Sequence, residues 1–166
     1  MWVFEGGILV KKGISTVAAV YPAVTGTVYT NGIEFPATQV ASSNVNTLDD
    51  YEEGTYTPTV TASSGTFTTV SAVGKYTKVG NVVVAQIRAT LTAIGTAVST
   101  LRVTLPFTAA ADNYSAGSGF ESASTAFALG VFVDPATPTY MKIVKYDGNT
   151  IIANGYVVNA TVTYFV

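Results

Sequence analysis

GKYTKVGNVVVAQIRATL, residues 74–91, holds two extended runs around one turn pair. In the second run Val83, Ala85, Ile87, Ala89 and Leu91 fall on one side, and Gln86, Arg88 and Thr90 on the other. A period of two is the pattern of a half-buried strand. Gly80-Asn81, between YTKV and VVVAQIRATL, is a hairpin signal. The stretch therefore sets an antiparallel pair, and the chain from 55 to 166 repeats the pattern. Leu101, Val103, Leu105 and Phe107 alternate with Arg102, Thr104 and Pro106. Phe127, Leu129, Val131 and Val133 share a face, as do Val158, Ala160, Val162, Tyr164 and Val166. Val, Thr, Tyr and Phe suit a pleated, half-buried surface. Asp147-Gly148 and Asn154-Gly155 mark further turns, and DPATP, Asp134 to Pro138, a longer loop. No segment sustains a helical period. Roughly eight strands joined by hairpins predict an all-β fold, an antiparallel β-sandwich or jelly-roll-like tip.

Composition narrows the function. Hydrophobic residues make up 48% of the 166 but charged residues only 11%, against ~25% in ordinary soluble domains. A surface this poor in charge favours association, so a homo-oligomer or a place in an assembly is expected. The net charge is −2, and no Lys or Arg lies between Lys12 and Lys75. A phosphate backbone would find no basic stripe, which argues against nucleic acid. Cys and His are both absent. That removes disulfides, thiolate nucleophiles, Cys/His zinc sites and imidazole acid–base chemistry. No cofactor is expected.

Residues 1–47 are broken by Gly6, Gly7, Gly13, Gly26, Gly32, Pro22 and Pro36. Short extended pieces fit between them, at Ile14–Val20, Thr27–Tyr29 and Ile33–Phe35, with a turn signal at Asn31-Gly32. The segment reads as an extended attachment and oligomerisation arm. MWVFEGGILV has no early positive charge and is interrupted by Glu5-Gly6-Gly7, so it does not fit a signal peptide. It is also too short to span a bilayer, and no membrane insertion is expected. Trp2, Phe4, Ile8 and Leu9 are then candidate anchoring residues.

NTLDDYEEGTYTPTV, Asn46 to Val60, concentrates four of the chain's ten acidic residues in Asp49, Asp50, Glu52 and Glu53. Asn46 or Thr47 can cap a helix, Asp50 sits where a capping box puts its acid, and Gly54 can end the turn. This favours a short helical joint over residues 48–54, between the arm and a tip domain at 55–166. A calcium site lacks the expected loop spacing, and nothing in the sequence brings a catalytic partner. A second acid pair, Asp112 and Glu121, flanks the Gly/Ser-rich stretch ADNYSAGSGFES. Glycoside hydrolysis needs two such carboxylates, but the stretch reads as an exposed loop carrying ordinary solvated acids. Neither catalytic nor metal-ligating residues are assigned. Tyr114 and Phe120 in that loop, and Tyr140 after DPATP, are candidate ligand-contacting residues, since exposed aromatics stack on sugar rings.

FPATQVASSNVNTLDDYEEGTYTPTV, followed by GKYTKVGNVVVAQIRATL and LPFTAAA, resembles the C-terminal region of tailed-bacteriophage tail fibre and receptor-binding proteins. The resemblance covers about residues 33 to 107. It implies a virion structural protein, often a homotrimer, whose β-rich tip touches the host surface, with glycan as the expected contact. Other phage tail, baseplate or capsid proteins would hold the arm. Two further readings share this fold: a capsid or tail decoration protein, and a polysaccharide depolymerase.

Overall fold

The computed structural model describes residues 2–5, 8–11, 28–29, 32–111 and 115–166, with side chains from residue 34 onward. The chain divides into two units, Met1–Pro36 and Ala37–Val166. The division falls after Pro36, ahead of the boundary at 47 expected from the sequence.

In the first unit β1 (Trp2–Glu5) and β2 (Ile8–Lys11) form an antiparallel hairpin, with Phe4 opposite Leu9 and Glu5 opposite Ile8. Gly6 and Gly7, between them in the sequence, lie outside the described residues. β3 (Val28–Tyr29) pairs with β4 (Gly32–Ile33). The extended piece expected at Ile14–Val20 lies outside the described residues, as do the side chains of Trp2, Phe4, Ile8 and Leu9.

The second unit is one sheet. Its strands are β5 (Tyr51–Tyr56), β6 (Val60–Ser64), β7 (Thr69–Val79), β8 (Val82–Ala93), β9 (Val98–Thr104), β10 (Ala116–Glu121), β11 (Ala128–Val133), β12 (Tyr140–Lys145) and β13 (Tyr156–Phe165). They lie in the order β5-β7-β8-β13-β10-β11-β12-β9-β6, and every neighbouring pair is antiparallel. The expected hairpin turns at Gly80-Asn81, where Val79 pairs with Val82 and Gly80 has φ 57°.

The two outermost strands, β5 and β6, are consecutive in sequence, and residues 57–59 alone join them. In a flat sheet the edges of nine strands would stand ~38 Å apart, eight spacings of ~4.8 Å. The four Cα steps from Tyr56 to Val60 reach ~14 Å at most. The sheet must therefore curl until its edges approach, which sheets near ten strands commonly do. This is how one continuous sheet encloses a core. The all-β, antiparallel expectation holds; a sandwich or jelly roll is not confirmed, since all nine strands join one continuous ladder.

The concave side is the core. Val83, Ala85, Ile87, Ala89 and Leu91 are buried, together with Leu101, Val103, Leu129, Val131, Val133, Met141, Ile143, Val158, Ala160, Val162 and Tyr164. These are the alternating faces read from the sequence. Tyr164 is fully buried, and its hydroxyl bridges the backbone of Phe107, donating to the carbonyl (3.1 Å) and accepting from the N–H (3.3 Å).

Two local expectations are corrected. Residues 48–54 are not a helical joint: no helix occurs among the described residues, and Tyr51–Tyr56 is the edge strand β5. Tertiary partners on β7 decide this. Gly54 lies opposite Tyr76, and Tyr56 opposite Gly74, so each tyrosine covers the other strand's glycine. A Cβ at Gly74 would sit 2.2 Å from Tyr56 Cε1, which leaves glycine as the residue that fits. The stretch 116–121 is not a loop but strand β10, between β11 and β13. Its Gly117 and Gly119 face inward, where a Cβ on Gly119 would meet the Asn159 carbonyl oxygen at 2.3 Å.

Candidate functional site

Each carboxylate of the acidic stretch has a separate partner. Asp49 accepts from the Ser42 backbone N–H (2.8 Å) and Gln39 Nε2 (3.2 Å). The Ser42 bond, followed by that of Gln39, holds its pKa below the usual carboxylate range. Asp50 is buried and ion-paired to Lys78, and its carbonyl receives the Gly80 N–H at 2.8 Å. Glu52 accepts from the Tyr76 hydroxyl. Glu53 points to the other face and accepts from Tyr51 (3.0 Å). Strand alternation thus sends neighbouring acids in opposite directions. Among the described residues no three acidic, Cys or His side chains gather as a metal-binding group.

Glu121 is not the solvated acid expected from the sequence. It is fully buried at the end of β10. Its carboxylate accepts from the backbone N–H groups of Ala123 (2.7 Å), Ser124 (2.9 Å), Thr125 (2.6 Å) and Val157 (3.1 Å), and from Thr125 Oγ1 (3.0 Å). Burial alone pushes its pKa up; the four backbone donors outweigh this and bring it down to about 2. The turn it organises ends in Ala126 at φ 51°, a left-handed conformation that a non-glycine residue adopts at a cost. Glu121 is a structural clamp whose lone pairs are occupied. Its proposed companion Asp112 lies outside the described residues.

The candidate aromatics separate. Tyr114 lies outside the described residues. Phe120 projects from the outer face of β10 and is 52% exposed. Tyr140 is half-buried at the start of β12, paired with Thr104. Phe120 is level with Ala128 at one end of β11, whereas Tyr140 adjoins Val133 and Asp134 at the other. That offset is about six residues, ~20 Å along the strands. The structure does not bring the two together.

Phe120 has other neighbours. Val73, Arg88, Asn159, Phe120 and Ala128 are successive partners on β7, β8, β13, β10 and β11. Tyr146 extends this row by donating its N–H to the Ala128 carbonyl (3.1 Å), and it is 77% exposed. A parallel row one pleat away holds Lys75, Gln86, Thr161 and Ser118. Three shallow depressions of about 470, 400 and 440 Å³ adjoin here and share Gln86. Phe120, Asn159 and Ser118 line one, Arg88 and Val73 another. Sequence reasoning picked Phe120 and missed the rest. The available signal was the period-two pattern itself, which puts Gln86, Arg88, Ser118, Phe120 and Asn159 on outward faces.

Comparison of the chain with protein-family models, with curated proteins and with solved structures returned no match.

Proposed function

We propose that this chain is a bacteriophage virion structural protein, a short tail fibre or receptor-binding protein whose nine-stranded unit touches the host cell surface. The observation that carries the reading is the outer sheet face, where an exposed aromatic sits among amide, hydroxyl and cationic side chains over a rigid ladder. Such a face binds by shape and stacking and needs no reactive group. The stretches that resemble phage receptor-binding proteins supply part of it: TYTP ends β5, and GKYTKVGN runs from β7 into the turn before β8. The function is non-enzymatic in this reading, since Glu121 is spent on its turn. Weak single contacts would be multiplied by a homotrimer on one particle.

Association also has a specific support. Val40, Val45 and Leu48, ahead of the sheet, are 63%, 95% and 53% exposed. Apolar groups this open suit burial against neighbouring subunits. The same three residues favour a second reading, a capsid or tail decoration protein clamped to shell subunits.

Adsorption competition separates the two. Labelled protein, shown to be folded and oligomeric, is expected to bind host cells saturably and to block phage attachment in excess. Folded protein that fails to bind, yet is present in hundreds of copies per particle, would replace the fibre reading with the decoration reading. Asp112→Asn is expected to leave polysaccharide length unchanged in either case.

A further inference from the structure

Resting on the receptor-binding reading, we propose that the outer row from Arg88 to Tyr146 seats an extended, carboxylate-bearing polysaccharide that runs across the strands rather than along them. Phe120 and Tyr146 are two inter-strand steps apart, ~10 Å. The residue between them is Ala128, which leaves an open floor between two exposed aromatic side chains. Spaced aromatics of this kind offer stacking faces to successive sugar rings. Phe120 has no polar atom to hydrogen-bond, so in this proposal it contributes through its ring face alone.

The polar partner is already positioned. Asn159 Nδ2 donates to Ser122 Oγ (2.8 Å), and Ser122 Oγ donates to the Val157 carbonyl (3.3 Å). The amide is thereby fixed with its oxygen and second N–H left for a ligand's hydroxyls. Fixed donors and acceptors reduce the ordering cost of binding.

Charge selects the class of sugar. The described ion pairs are Lys78–Asp50 and Lys142–Asp134. Lys75 and Arg88, both exposed on this face, make none among the described residues. The acid nearest to them along the depressions is Glu53, which is engaged by the Tyr51 hydroxyl. Arg102 and Lys145 also make none, but of the unpaired cations only Lys75 and Arg88 line these depressions. A guanidinium beside an amide fits a carboxylate with directed hydrogen bonds. A neutral chain would leave both cations unused.

The test uses the full chain and three probes: polyuronate oligosaccharides, the same oligosaccharides with their carboxyl groups reduced, and inorganic phosphate. Wild-type protein is expected to prefer the polyuronate, and that preference to fade with salt. Lys75→Gln with Arg88→Gln should weaken polyuronate binding about tenfold and leave the reduced chain's binding as it was. Phe120→Ala with Tyr146→Ala should weaken both sugars. Equal binding of the two sugars by wild type, phosphate competing as well as polyuronate, or aromatic variants that bind like wild type would each overturn the proposal. Cell adsorption of the same variants distinguishes the levels. Wild-type protein that binds cells while all four substitutions leave adsorption intact sinks this row but spares the receptor-binding reading. Wild-type protein that binds no cells sinks the reading beneath it.

Discussion

Asp50 and Glu121 are both buried carboxylates, and the fold satisfies them by opposite means. Asp50, at the β5 edge, depends on one counter-charge, the Lys78 ammonium that also lies 5.6 Å from the Phe107 ring centre. Glu121 meets no cation; backbone amides and one hydroxyl surround it. The first arrangement joins two strands and fails if one side chain changes. The second folds a turn around an anion and spreads the load over several donors. A buried acid is thus no signature of chemistry: what matters is whether its lone pairs remain available.

The sharpest way to break this contrast is at Lys78. Lys78→Met should cost about 3–5 kcal/mol, because it strands a buried charge. Adding Asp50→Leu should recover most of that loss. Urea unfolding of the single and double variants measures it; a single variant as stable as wild type would show that Asp50 is hydrated. Glu121→Gln comes next. It keeps one carbonyl acceptor but loses the charge that several N–H groups share, for about 2–3 kcal/mol.

Acid sharpens the same point. The folded pKa of Glu121, about 2, lies below its ordinary 4.5. Its contribution is therefore complete above pH ~4.5 and is lost as pH falls toward 2. The stability gap between wild type and Glu121→Gln should narrow across that window and stay flat above it. A gap that persists down to pH 2 would contradict the clamp. Thr125→Val, which removes only the hydroxyl donor, should show the smallest effect, about 0.5–1.5 kcal/mol in thermal unfolding.

Much of the fold was legible wherever side chains alternated in size and polarity. Val83 to Leu91 and Val158 to Tyr164 read as strands because each inward residue is apolar. β10 escaped because its inward positions are Gly117 and Gly119, and a missing side chain leaves no hydrophobic signal. β5 was misread as a helical turn because capping residues and edge-strand residues overlap in composition. Its conformation is imposed by Tyr76 and Lys78, more than twenty residues away, and local propensity does not contain them. The sandwich expectation is not confirmed, since alternation reports which face is inward and not how the strands are divided between layers. Of the outer site, Phe120 was visible as a loop aromatic. Tyr146 was not, because its place beside Phe120 depends on the register of three strands.

The position of β13 bears on synthesis. It is the last of the nine strands in chain order, yet it lies between β8 and β10 in the middle of the ladder. Until residues 156–165 emerge, the β5-β7-β8 ribbon and the β10-β11-β12-β9-β6 ribbon have nothing to zip them together. Each nascent half exposes an unpaired edge, Val82–Leu91 on one side and Ala116–Glu121 on the other. Closure thus waits for the last of the nine strands and is dominated by distant pairings, which makes for slow folding. Through that interval the growing polypeptide is open to capture by chaperones, or by the matching edge of a sister chain on the same polysome.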